Sequence, residues 1–374
     1  MHYRNTFIQV DLDCIAENTA LLRQMIAPTP YMMAVVKANA YGHGLIPVAE
    51  TVLENGADWL GVAIPEEGEA LRKAGIKAPI LVLGGVNEKG AEASVRLGLT
   101  QAVFDVQRVK MLEDAAKRLG KRAQVHIKCD TGMGRIGVRD ERELQEVLSA
   151  LEESPHVTLT GAFTHFADAD GEEEAYSRMQ MEIFERFKKM LPCDILFHGA
   201  ASAAGARFPW ARMGMVRQGI FLYGCPPVPE AAGVKPALSW HTEIVHVKHL
   251  PKGACVSYGC TFRAEKDMRV ATLPVGYGDG YHRCISGKGQ VLIGGKRCPI
   301  IGRICMDQMM ADVTHLDENA VYVGAPAVLL GRQENEEITA GELASWAGTI
   351  SYEMLLAATA RVPVIYEGDR VNNL

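Results

Sequence analysis

Between about residues 30 and 225 the chain repeats one kind of unit eight times, a short β-rich run and then a stretch carrying apolar residues at helical spacing. The runs are 32–37 (MMAVVK), 59–63 (WLGVA), 80–83 (ILVL), 100–104 (TQAVF), 125–128 (VHIK), 158–164 (TLTGAFT), 195–198 (ILFH) and 215–222 (MVRQGIFL). Helices are predicted over 45–54, 65–74, 106–119, 141–151 and 175–190, each with an apolar stripe opposite a polar face. Strands that alternate with helices build a parallel sheet, and eight is the number that closes a TIM-like (β/α)8 barrel. A doubly wound open sheet accepts similar helices. It rarely uses eight units, however, and the Gly-rich dinucleotide turn expected after its first strand is missing.

Past a Pro-rich stretch at 225–236 (CPPVPEAAGVKP) the pattern changes to closely spaced runs punctuated by glycine, at 242–249, 255–258, 270–274, 290–293, 309–313 and 327–330. These predict a mostly antiparallel β domain. The 374 residues fit a barrel of about 250 residues plus a smaller partner. The expected domains are 1–235 and 236–374, and the opening run 6–12 (TFIQVDL), within the first ~11 residues of the barrel span, is a candidate to pair with the second domain.

Composition excludes several classes. With 48% hydrophobic residues, 22% charged and a formal net charge of −6, the chain has no electrostatic reason to seek nucleic acid or an acidic membrane surface. Its start alternates and then turns helical, with no continuous apolar stretch, so a cytoplasmic location is expected. The nine cysteines include no C-x-x-C pair, which argues for buried thiols rather than disulfides or zinc. His241, His246 and His249 are read as spaced along one strand with no carboxylate or thiolate beside them, so no metal site is expected. The run 171–174 (GEEE) is read as a solvated helix start, and VGYGDGY has no P-loop lysine.

Barrel active sites lie at the C-terminal ends of the strands. Strand one closes on Lys37 ahead of the turn-rich ANAYGHG. Strand five closes on Lys128 ahead of CDTGMGRIG, which carries Arg135. Strand six ends with Thr164 and His165, followed by Asp168, strand seven ends with His198 and then Ser202, and strand eight holds Arg217 beside Gly219. Cations, hydroxyls and imidazoles thus converge on one mouth. Ser202 with the backbone amides near Gly219 and Ile220 would suit a phosphate, and a lysine beside a phosphate site is the pairing a pyridoxal phosphate (PLP) Schiff base needs.

The segment 35–44 (VVKANAYGHG) resembles the PLP-binding signature of the alanine racemases. HIKCDTGMGRIG, MVRQGIFLYG, VSYGCTF, LPVGYGDGY, IIGRICMDQMM and TISYE are similar to further blocks of that family in the same order, so the resemblance spans essentially the whole chain. It implies a PLP-dependent isomerase that interconverts L- and D-alanine, supplying D-alanine for peptidoglycan or degrading it. It also implies a homodimer whose sites combine the barrel of one subunit with the β domain of the other. Carried over motif by motif, Lys37 holds PLP covalently and Arg217 faces the pyridine nitrogen. Ser202, Gly219, Ile220, Tyr41 and Tyr352 neighbour the phosphate, and His165 lies near the ring. The partner subunit supplies Tyr258 as the second catalytic base, Met306 and Asp307 beside the substrate, and Tyr277 with Arg303 at the entrance. Lys128 matches a position where many members carry a carbamylated lysine bracing Arg135, itself a substrate-side residue.

The chemistry calls for such a set. Inverting Cα removes a proton from one face and returns one to the other, which two groups on opposite faces do more readily than one. Lysine and tyrosine side chains titrate near 10 in water, so desolvation or nearby cations must lower them, and Arg135 and Arg217 are candidate cations. An arginine at the pyridine nitrogen keeps that nitrogen neutral, a weaker electron sink that limits transamination.

Three positions depart from the family pattern: Ala201 where asparagine is common, Gln218 where proline usually follows the arginine, and Cys129 in the carbamate motif. The alternatives are a serine or broad-specificity racemase, a fold relative decarboxylating basic amino acids, and a non-catalytic PLP-binding regulatory barrel. The decarboxylases place a carboxylate at the pyridine nitrogen and lack the opposing tyrosine, and the regulatory proteins lack the β domain. Tyr352 and the Met306 region would limit side-chain size.

Overall fold

A computed structural model describes residues 4–368, which divide into two compact units. One comprises Cys14–Ala40 and Gly44–Lys235; the other takes the chain up to Asp13, Tyr41–His43 and the chain from Pro236 onward. Residues 1–3 and 369–374, which the expected spans 1–235 and 236–374 include, lie outside the described residues.

The first unit is built on eight parallel strands, β2 (Tyr31–Val35), β3 (Trp59–Val62), β4 (Ile80–Val82), β5 (Thr100–Val103), β6 (Ala123–Lys128), β7 (Val157–Phe163), β8 (Leu196–His198) and β9 (Met215–Gln218), numbered after β1 (Phe7–Asp11) of the other unit. They pair in the order β8-β7-β6-β5-β4-β3-β2-β9. Two bonds, Gly214 N–H to Phe197 O (3.1 Å) and Arg217 N–H to Ala200 O (3.0 Å), bring β9 back to β8 and nearly close the barrel. Met33, Leu81, Ala102, Phe163 and Met215 form one cluster contributed by five strands, the layered filling of a packed barrel rather than a pore. A second, larger cluster joins the outer faces of the strands to the helices, including Leu112, Leu144, Val147 and Phe184.

Helices form where the spacing predicted them: Leu45–Glu54, Pro65–Lys73, Val106–Leu119, Glu141–Glu152 and Ala175–Lys188. Asp105 and Asp140 cap two of these by accepting the N–H of Arg108 and Glu143, each at 2.8 Å. The helix Glu88–Leu97, capped by Asn87, is an addition to those the spacing predicted.

Two strand ends differ from expectation because the backbone turns early. The first barrel strand stops at Val35, and Lys37–Tyr41 is a left-handed turn with φ of 52–54° from Ala38 to Tyr41. The last stops at Gln218, where Gly219 takes φ −121° and ψ −104° and a tight 3-10 turn follows over Ile220–Tyr223. Between β6 and β7 the register shifts, Val125 facing Leu159 and His126 facing Gly161, so Thr160 is the extra residue of a bulge.

The second unit is a ten-stranded sheet. Its main path is β11-β14-β17-β16-β15-β18-β10-β1-β20, with β19 (Glu336–Ile338) paired to β18. Its members are β10 (Leu238–Glu243), β11 (His246–Leu250), β14 (Met268–Leu273), β15 (Gln290–Ile293), β16 (Lys296–Ile301), β17 (Met309–Asp312), β18 (Pro326–Gln333) and β20 (Val364–Glu367), together with β1. A small ribbon of β12 (Cys255–Val256) and β13 (Phe262–Arg263) accompanies it. All pairings are antiparallel except β1 with β20, and β1 pairs with β10, Phe7 opposite His241.

The single strand expected over 242–249 is two. Ile244 bonds to Ala325 and Val245 to Thr272, so the chain leaves the β18 side and rejoins the sheet beside β14. His241 therefore sits apart from His246 and His249 in the sheet order. The run 255–258 also ends early, at Val256, because Ser257 takes a φ of 65°. Strands β16, β19 and β20 and the helix Ala340–Ala347 were not foreseen.

Candidate active site

In the barrel unit the chemistry gathers around Arg217, which is 3% exposed. Its Nη1 donates to His198 Nδ1 (2.9 Å), and its Nη2 faces Thr164 O and Gly199 O (each 2.9 Å) and His165 Nδ1 (3.2 Å). These four partners are two carbonyls and two imidazole nitrogens, none of them charged. Burial, and then Arg135, pull the guanidinium down to about 9, which still leaves it cationic at neutral pH.

One donor fixes several protons. Because His198 Nδ1 accepts from Arg217, its proton is on Nε2, which lies 2.9 Å from His126 Nδ1. His126 then carries its own proton on Nε2. His165, accepting at Nδ1, is likewise protonated at Nε2. Burial, and then Arg217, hold all three imidazoles in the neutral form: His126 and His165 are lowered to about 3, and His198 lies well below its ordinary value. Phe163 stacks on His198 (centroids 4.8 Å apart, planes at 2°), while Arg217 and Lys128 approach the same ring at 5.4 and 5.5 Å.

Lys37 is half-buried at the start of the left-handed turn. Burial pushes its ammonium down, Arg135 pushes it further, and Glu67 pulls the other way. Asp130 shapes the loop of Arg135 by accepting the N–H groups of Gly132 (3.1 Å), Gly134 and Arg135 (both 3.0 Å). Lys128 is buried, donates to Cys129 O (2.7 Å), and is lowered to about 8, chiefly by burial. Ser202 Oγ accepts the Gly219 N–H at 2.8 Å, so its own proton is free to point elsewhere. Ile220 has its side chain in the core.

The β unit holds the remaining residues named from sequence. Tyr258 is 68% exposed on a turn where Ser257, Gly259 and Cys260 all have positive φ. Ser257 Oγ donates to Arg303 O (2.5 Å) and lies 3.3 Å from Cys305 Sγ. Tyr277 N–H bonds to Cys305 O (3.1 Å) and Gly278 N–H to Met306 O (2.8 Å), and Arg361 Nη1 donates to Asp307 Oδ1 (2.9 Å). Tyr258, Tyr277, Arg303, Met306 and Asp307 therefore occupy one set of linked loops. Tyr41 and Tyr352 form a tilted pair with centroids 6.1 Å apart, and burial, then Tyr352, raises Tyr41 above the ordinary tyrosine range.

Sequence reasoning passed over His126, Glu67 and Arg361. A histidine inside the apolar run VHIK and a glutamate at the third position of a Pro-started helix were visible signals. The pairing of Arg361 with Asp307, 54 positions apart, left none.

Residues 10–227 match the alanine racemase N-terminal domain and residues 237–366 the alanine racemase C-terminal domain. The chain belongs to the alanine racemase family. An alanine racemase of Symbiobacterium thermophilum is 46% identical over 98% of both chains, and one of Methanococcus maripaludis is 41% identical over 96% of this chain and 97% of its own. The crystal structure of alanine racemase from Bacillus anthracis with bound L-Ala-P superposes with a TM-score of 0.91 at 38% identity, covering all of both chains. As a member of the alanine racemases the chain is an amino-acid racemase, an isomerase, on a TIM-like barrel with an antiparallel-rich β domain. Among the described residues no helix is long and apolar enough to cross a membrane.

Proposed function

We propose that this racemase interconverts L- and D-alanine with PLP as its cofactor, as a cytoplasmic homodimer that supplies D-alanine for peptidoglycan or degrades it. The observation that carries this reading is the setting of Arg217, a buried guanidinium whose partners are all neutral. Such a group can face a ring nitrogen without protonating it. The other donors fit the same cofactor: Lys37 has the lowered pKa that a carbonyl-condensing amine needs, and Ser202 has a hydroxyl proton to give a phosphate. Lys37, Arg217, His165, Ser202 and the amides of Gly219 and Ile220 would hold it, with Tyr41 and Tyr352 as further phosphate neighbours. When bound, PLP supplies the electron sink that acidifies the Cα hydrogen.

The protein's own part is proton transfer. Lys37 Nζ serves the D-face and Tyr258 Oη of the partner subunit the L-face, one removing the Cα proton while the other returns one. Arg135, Met306 and Asp307 position the substrate, Tyr277 and Arg303 line its entrance, and Tyr352 with Met306 restricts the side chain to about the size of a methyl group. Alanine is favoured over serine by the names of the relatives at 41–46% identity and by the L-Ala-P held in the B. anthracis structure.

The deciding experiment is Cα exchange in deuterated solvent with Tyr258→Phe. Racemisation should fall at least about 100-fold, the low end of a general base's contribution. D-alanine should keep exchanging with retention through Lys37, while L-alanine exchanges hardly at all. Equal exchange of both enantiomers, or near wild-type racemisation, would refute the two-base reading.

A further inference from the structure

The turn behind Lys37 is an unusual piece of backbone. Ala38, Asn39, Ala40 and Tyr41 are four consecutive non-glycine residues with φ of 52–54°. A left-handed conformation is strained for an L-residue, so the turn persists only where other bonds over-determine it. Three are local: Ala40 N–H to Val36 O (2.8 Å), Gly44 N–H to Asn39 O (2.9 Å) and Leu45 N–H to Asn39 Oδ1 (2.9 Å). The fourth comes from elsewhere, since Ala38 N–H donates to Glu67 Oε1 at 2.6 Å across 29 positions.

Glu67 is the third residue of the helix Pro65–Lys73, a position from which a glutamate commonly reaches back to its own helix start. Its Oε2 does this, accepting from Ala63 N–H at 2.8 Å and more distantly from Ile64 N–H at 3.4 Å. An ordinary cap would leave the other oxygen to water. Here that oxygen holds the residue immediately after the lysine.

We propose that Glu67 is a positioning residue for Lys37, its carboxylate clasping the strained turn to the start of the neighbouring helix. The proposal deepens the racemase reading, which makes Lys37 a proton-transfer group whose direction and charge both matter. The charged groups facing Lys37 are Arg135, which opposes its protonation, and Glu67, which favours it; the neutral imidazole of His165 also senses the lysine. Glu67 thus fixes where the amine sits and offsets the pull of Arg135 on its charge.

The test uses the full-length protein freed of any bound carbonyl by hydroxylamine and dialysis, so its result does not depend on whether the racemisation reading is right. Lys37 is acetylated with trace acetic anhydride across a pH series, and its reactivity is read by peptide mass spectrometry. In Glu67→Gln the midpoint of Lys37 reactivity should fall by about one pH unit, the lower end of what one adjacent charge contributes. In Glu67→Ala, amide exchange over residues 37–41 should accelerate at least about 10-fold, roughly what losing one charge-assisted bond allows. Should the alanine variant fail to fold, Glu67→Asp carries the exchange test, because it keeps the charge and a helix-start acceptor but is one methylene short of Ala38. An unchanged midpoint in Glu67→Gln, or unchanged exchange over 37–41 in the shortened variant, would overturn the proposal and leave Glu67 a helix cap.

Discussion

Arg217 Nη1 donates to His198 Nδ1 at 2.9 Å, and through that bond one guanidinium sets the tautomers of two buried histidines, His198 and His126. The chain of donors runs from the mouth of the barrel into its interior, ending at His126 beside Trp59, their ring centroids 5.6 Å apart. It makes the electrostatics around Arg217 a property of the barrel core and links them to stability.

That link has a pH signature. His126, His165 and His198 are all lowered in the fold, whereas an unfolded imidazole titrates near 6.5. Below that value the unfolded chain binds protons that the folded chain refuses, so stability is complete above about pH 6.5 and falls as the pH drops toward 3. Urea denaturation at pH 7, 6 and 5 should show a steep loss. In His126→Asn, which keeps an acceptor for His198, the slope should be shallower by about 1.4 kcal/mol per pH unit, one site's share. A slope identical to wild type would mean that His126 is not held neutral.

The bulge at Thr160 leaves Gly161 facing His126, where a Cβ would sit 2.6 Å from Nε2. Both residues lie in packed interior, so Gly161→Ala should cost about 1–3 kcal/mol, seen as a lower thermal midpoint. Adding His126→Ala should recover part of it, because the clash is with that ring. Equal midpoints for Gly161→Ala and wild type would show that the barrel yields there.

The proposed composite site makes a prediction about mixtures. Lys37→Ala and Tyr258→Phe chains, each inactive alone, should regain activity when co-expressed, because a mixed dimer rebuilds one intact site. Mixed dimers that form but stay inactive would mean that each chain completes its own site.

Lys128 is buried, lowered to about 8 and donates to the carbonyl of Cys129, and so it is a ready amine for carbon dioxide. Its free amine would attack the carbon, releasing one proton and leaving a carbamate that could brace Arg135. Carbon-13 NMR in labelled bicarbonate should reveal a carbamate resonance that disappears in Lys128→Gln. A spectrum unchanged by that substitution would assign the signal elsewhere.

The barrel and its mouth are legible in the order of residues alone. Eight apolar runs alternating with amphipathic stretches admit few other architectures, and the strand ends, read in order, delivered Lys37, Lys128, His165, His198, Ser202 and Arg217 to one end of that barrel. Periodicity is a local signal, and these features are local. Features that depend on residues distant in the chain emerge only on packing, and the folded chain supplies them. It split the run 242–249 between two regions of the sheet by exchanging backbone partners at Ile244 and Val245, and it placed β20 beside β1. It also turned the backbone left-handed after Lys37 with Glu67 bonded to Ala38, and joined Arg217, His198 and His126 into one line of protons. Hydrogen bonds across 29, 19 and 72 positions leave no periodic trace, because their geometry exists only once the strands and helices that carry both partners have packed.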